Sequence, residues 1–140
     1  MAIPRGKIKR EAIFERILTK FAGLFKCKYV KIPDPIIPKG WVKPDDFKER
    51  KRPCDAFLIC PNNVFLIEAK VGKTQQSKHQ KIKDLLYNEI NKNAYFVIRK
   101  TEVVKRNTPL SETCYDIEQK GKRIQRFYNL EEIFRFFKSI

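Results

Sequence analysis

Residues 54–70 constrain the fold more than any other stretch. Residues 54–60 (CDAFLIC) and 64–70 (VFLIEAK) are two strand-like runs separated by Pro61-Asn62-Asn63. Pro-Asn-Asn is turn chemistry, so the pattern predicts a β-hairpin. In the second arm Val64, Phe65, Leu66 and Ile67 are all apolar. A strand apolar on both faces needs cover on both. That calls for a sheet with helices packed against it.

The rest of the chain supplies the helices. In residues 8–25, Ile13, Phe14, Ile17, Leu18, Phe21, Leu24 and Phe25 recur at the spacing of one helical face. Residues 78–92 form a second helix, with Ser77 as N-cap and Ile82, Leu85, Leu86 and Ile90 as its buried side. Residues 28–32 and 94–99 are further strands, and 130–139 is an amphipathic closing helix. Residues 101–126 are polar and basic and fit either a short strand or a helix. Pro33, Pro35, Pro38, Pro44 and Pro53, with Gly40 and Trp41, mark a long loop. A loop of that length in a compact domain usually carries function. The expected fold is α/β: one mixed sheet flanked by helices, as a single domain over residues 1–140.

Charge bears on partners. Lys plus Arg number 31 against 16 Asp plus Glu, a formal net charge of +15. Such a charge attracts polyanions, of which nucleic acid is the commonest, though a merely solubilising basic surface has the same composition. The four cysteines, Cys27, Cys54, Cys60 and Cys114, form no CxxC pair. Zinc and redox spacings are therefore missing, and all four are expected to be reduced thiols. The first residues run into charge rather than an apolar segment, and no apolar run is long enough for a membrane. An intracellular, cytoplasmic chain without membrane contact is expected. No Gly-rich phosphate loop is present, and no small-molecule organic cofactor is expected. His79 is the only histidine, which leaves no His-based metal cluster or triad.

The hairpin also carries the chemistry. If Asn62-Asn63 is a two-residue turn, Pro61 pairs with Val64, Asp55 faces Lys70 and Glu68 faces Phe57. Asp55, Glu68 and Lys70 then project from one face. Two neighbouring carboxylates suit a hard divalent cation, which neutralises charge developing on a phosphate. The Ala69 carbonyl is a further oxygen donor, and Lys70 adds a cation. A cross-strand Asp–Lys pair is also an ordinary stabilising contact. Charges at the end of a doubly buried strand are nevertheless costly unless paired or used.

Pro53-Cys54-Asp55, twelve residues, then Glu68-Ala69-Lys70 resembles the PD-(D/E)xK nuclease signature, with Cys54 interposed in the Pro-Asp pair. The continuation through Val71-Gly72-Lys73 to Ser77-Lys78-His79-Gln80 resembles the VRR-NUC branch, where Ser-x-x-Gln opens the next helix. Glu15 resembles the helical glutamate of archaeal and viral Holliday junction resolvases, with Glu11 as its substitute. Asp84 stands where RecB-type nucleases have Tyr, which sets that branch apart. The resemblance covers about residues 10–99, with 100–140 as an extension. It implies a restriction-endonuclease-like αβββαβ core and a metal-dependent DNA endonuclease. It implies Asp55, Glu68, the Ala69 carbonyl and Glu15 as ligands of Mg²⁺, for which Mn²⁺ can substitute. Lys70 and Gln80 would act beside them. Read from their grouping around the site, Arg10, Lys51, Arg52, Lys73, Lys78 and Lys81 would contact the backbone of branched or duplex DNA or be plain solvated charge, and Trp41 would stack on or wedge against bases or pack against its own domain. Junction resolution needs two symmetric cuts, hence a homodimer. Restriction, nicking or flap cleavage is the near alternative; a non-catalytic basic nucleic-acid-binding protein is the other.

Overall fold

The computed structural model describes residues 5–31, 56–90, 94–104 and 111–140. The proline-rich stretch with Trp41, and Lys51, Arg52, Cys54 and Asp55, lie outside the described residues, as do the side chains of His79, Leu86 and Ile90.

The elements run α1 (Arg5–Leu24), β1 (Lys28–Lys31), β2 (Ala56–Ile59), β3 (Val64–Val71), α2 (Lys78–Ile90), β4 (Tyr95–Val104), β5 (Ser111–Gln119), β6 (Lys122–Phe127) and α3 (Leu130–Ser139). The fold is α/β. One six-stranded mixed sheet has the order β1-β2-β3-β4-β5-β6. Only β3 and β4 are parallel, joined by the α2 crossover; the other neighbours are antiparallel.

Each side of β3 meets a different layer. Phe65, Ile67 and Ala69 join Phe14, Leu18, Ile133, Phe134 and Phe137 in the main core, under α1 and α3. Leu66 turns the other way, to Phe57, Tyr87 and Tyr95 under α2. Alternation puts Glu68 and Lys70 on this second face. α3 starts at Asn129, whose side chain accepts from the Glu132 N–H at 2.9 Å.

The β2–β3 register differs from the expected one. Ile59 pairs with Val64 and Phe57 with Leu66. The Cys60 N–H donates to the Asn63 carbonyl at 2.9 Å. The turn residues are therefore Pro61-Asn62, not Asn62-Asn63. The cause is Pro61: it has no N–H for the ladder, and its fixed φ suits a turn. The slip is two residues, so every side chain keeps its face. Glu68 does not sit opposite Phe57, and the last described pair, Ala56–Ile67, stops beside it.

Two further expectations are corrected. Cys27 and Cys60 form a disulfide, with Cα atoms 4.3 Å apart. They extend the Lys28–Ile59 pair of the ladder by one step, although 33 positions separate them in the chain. Cys114 is a buried thiol. Of the aliphatic residues expected on the buried side of α2, Leu85 is 52% exposed and Ile82 is half-buried. Lys83, Asp84, Tyr87 and Asn88 are buried instead. Of residues 101–126, which matched no single pattern, 101–104 extend β4 and 111–126 lie in the β5–β6 hairpin. Among the described residues no helix is long and apolar enough to cross a membrane.

Candidate active site

Glu68 and Lys70 lie in the C-terminal half of β3, 1% and 7% exposed. Each side chain has a partner from another element. The Tyr95 hydroxyl, from the start of β4, donates to Glu68 Oε1 at 2.8 Å. Lys70 Nζ donates to Gln80 Oε1 at 3.0 Å. Gln80 is set by the helix start. The Ser77 N–H donates to Gln80 Oε1 at 2.9 Å, and the Gln80 N–H donates to Ser77 Oγ at 3.2 Å. This reciprocal pair is a capping box. Ser77 is thus the N-cap, and Gln80 Oε1 serves both the cap and Lys70.

The connector between β3 and α2 is clamped by Arg99, which lies beside Lys70 in the parallel ladder. Its Nη1 donates to the carbonyls of Gly72 at 2.9 Å and Thr74 at 2.5 Å. Its Nε donates to Glu118 Oε2 on β5 at 2.7 Å. Gly72 has φ +77, a left-handed conformation suited to glycine. Arg99 therefore fixes the path that brings Gln80 to Lys70.

A polar network backs α2. Asp84 Oδ1 accepts from Asn88 Nδ2 at 2.6 Å and from the Lys120 N–H at 2.9 Å. Gln76 Nε2 donates to Asp84 Oδ2 at 3.2 Å. Asn88 Oδ1 accepts from the Tyr95 N–H at 2.7 Å and from Gln119 Nε2 at 3.2 Å. Burial pushes the Asp84 carboxyl above its ordinary pKa, against the lowering effect of these hydrogen bonds. The network fixes Tyr95, and through it Glu68.

The other expected residues are placed as follows. Glu15 lies on the α1 side of the sheet. Its Oε1 accepts from the Tyr29 hydroxyl at 3.1 Å, and its Oε2 is 3.2 Å from Lys31 Nζ. Its described contacts are with β1, not with Glu68 or Lys70. The Ala69 side chain is buried in the main core, while its backbone sits in the β3–β4 ladder. Arg10, Lys73, Lys78 and Lys81 are exposed. Among the described residues no group of three His, Cys, Asp or Glu side chains comes together; Asp55 lies outside them. Tyr95, Asp84, Asn88 and Arg99 were missed in the sequence. One signal was available: Asp84, Tyr87 and Asn88 share a helical face at spacings of three and four.

Comparison with known proteins leaves the site to stand on its geometry. No family model matches the chain, no curated protein matches it, and no solved structure matches it. On β3 the described residues offer a divalent cation one buried carboxylate, Glu68, the hard-oxygen donor that Mg²⁺ prefers. Beside it lies the Lys70 ammonium. That carboxylate is of the donor type such a cation takes.

Proposed function

We propose that this chain is a metal-dependent nuclease with a restriction-endonuclease-like core, hydrolysing phosphodiester bonds of DNA. The observation that carries this is the buried Glu68–Lys70 pair, each member oriented by a partner from another element, on a chain of charge +15. Asp55 and Glu68 would hold Mg²⁺ or Mn²⁺, with the Ala69 carbonyl completing the oxygen set. The ion, when bound, supplies charge neutralisation at the phosphate and acidifies a water. Lys70 contributes an ammonium to the scissile phosphate, and Gln80 holds that ammonium in place. Tyr95 orients the Glu68 carboxylate. Branched DNA cut symmetrically by a homodimer is the favoured substrate.

The competing function is a non-catalytic nucleic-acid binder. The capping box favours it, since a helix start alone accounts for the position of Gln80. Cleavage decides between them. Labelled four-way junction, duplex and single-stranded DNA are incubated with Mg²⁺, Mn²⁺ or EDTA. Wild type is expected to cut with metal only, and Glu68→Gln and Lys70→Met to bind but not cut. Tyr95→Phe should cut about 10–100-fold more slowly, the usual cost of losing a ligand-orienting partner. Absence of cutting on every substrate, with binding intact, establishes the non-catalytic function.

A further inference from the structure

The β5–β6 hairpin stands across a cleft from α2. The cleft, about 480 Å³, is lined among others by Gln76, Lys81, Asp84, Arg99, Glu118 and Lys120. Its far wall is the turn Lys120-Gly121, with φ +53 and +78. Both values suit the tight turn of a two-residue hairpin, closed here by the Gln119–Lys122 pair. The turn is docked on α2 through the Lys120 N–H and Gln119, which bond to Asp84 and Asn88. Lys120, Lys122 and Arg123 are all exposed. Arg123 sits opposite Glu118, a lining residue of the cleft.

Charges inside the cleft divide into two kinds. Arg99 is paired with Glu118, and Asp84 is buried in its hydrogen-bond network. The exposed charges that line it are both cations, Lys81 on α2 and Lys120 on the hairpin. Lys73 and Lys78 near the start of α2 and Lys122 and Arg123 next to the turn are exposed as well, as is one carboxylate at the far end of α2, Glu89. Arg126, also on β6, differs. It makes a two-bond ion pair with Asp116, at 2.7 and 3.0 Å.

We infer that the β5–β6 hairpin tip is a second phosphate grip, so that a nucleic-acid backbone crosses the cleft between Lys81 of α2 and Lys120, Lys122 and Arg123. This deepens the nuclease proposal, on which it rests for the nature of the partner. Phosphodiester backbone is preferred to a lipid surface because exposed cations, Lys81 and Lys120, line both walls of a cleft rather than one flat face. Arg126 is a strut of the sheet and no part of the grip.

The test is equilibrium binding of the full chain to a labelled DNA duplex in EDTA, across a KCl series. Binding needs no cleavage, so it is decided separately from catalysis. Lys120→Asn, which tolerates the left-handed turn, is combined with Lys122→Gln and Arg123→Gln. The matched control removes three exposed cations from the opposite side of the sheet: Arg16→Gln, Lys20→Gln and Lys138→Gln. Lost phosphate contacts lower the slope of log K against log salt by about 0.9 each, so the hairpin variant should lose about 2–3 of slope. The control and Arg126→Gln should keep the wild-type slope. A second variant, Lys122→Gln with Arg123→Gln, leaves the turn intact and should lose about 2. Equal slopes for hairpin variant and control, or no loss in the hairpin variant, overturn the inference. So does tighter hairpin-dependent binding to phosphatidylserine vesicles than to DNA. If wild type binds DNA with the expected slopes but never cuts, the grip stands and the nuclease proposal falls.

Discussion

Asp84 shows how a single buried carboxyl ties the site's support to pH. It is 1% exposed, and burial raises its pKa above the ordinary 3.8. An acid whose pKa is raised on folding holds its proton more tightly in the folded state. Its contribution to stability is therefore greatest below 3.8 and is lost as pH rises through the folded value. Asp84→Asn removes the titration and keeps an oxygen for the Lys120 N–H. The variant is expected to gain stability relative to wild type between about pH 4 and neutrality. Urea unfolding at both pH values measures it; a difference that is constant or shrinks with rising pH contradicts the assignment. Hydropathy periodicity passed over this residue for a physical reason. It ranks faces by apolarity, whereas α2 buries the face that can satisfy backbone and side-chain groups at the β5–β6 turn. Glu68 and Lys70 were legible because they interrupt an apolar strand; their partners Tyr95 and Gln80 were a matter of three-dimensional approach, although Gln80 also had its place in the Ser-x-x-Gln pattern.

Among the elements, those with strong local signals formed where expected. α1 and α3 each follow an apolar period, β3 is a continuous apolar run, and Asn129 caps α3. The β5–β6 hairpin was not legible. β6 is exposed at four of its six positions, so it has no clear alternation, and a register shift between Ile117 and Glu118 breaks the period further. The end of α1 carries a testable feature. The Cys27 N–H donates to the Ala22 carbonyl at 2.9 Å and the Lys26 N–H to the Gly23 carbonyl at 3.4 Å. This is the Schellman arrangement, with Lys26 at φ +61 in the position that usually holds glycine. A side chain there costs about 1 kcal/mol. Lys26→Gly should therefore raise stability by about 1 kcal/mol, seen as a melting temperature a few degrees higher. A lower melting temperature would show that the Lys26 side chain makes a compensating contact.

For the whole molecule, two large terms act in opposite directions. A net charge of +15 repels itself in the compact state, an effect that salt or a bound polyanion relieves. The Cys27–Cys60 disulfide opposes unfolding by joining positions 33 apart in the chain. For a loop of that size the chain-entropy account gives about 3–4 kcal/mol. Both sulfurs belong to buried residues, 2% and 7% exposed, so a reductant reaches them only after local opening. Persistent disulfides belong mainly to oxidising surroundings. In a reducing compartment the same chain would hold two buried thiols and lose that margin. The comparison is direct: melting with and without a strong thiol reductant, beside Cys27→Ala with Cys60→Ala, a pair that cannot cross-link. Reduced wild type and the double variant should both melt on the order of 10 °C below the oxidised protein, given the loss of about 3–4 kcal/mol. Added DNA should raise all three, because binding to the folded form alone stabilises it by mass action. If reduction leaves the melting temperature unchanged, the link is either absent in solution or bridges structure already present in the unfolded chain. Labelling of thiols under denaturing conditions separates the two: a chain with every cysteine reactive never carried the bond.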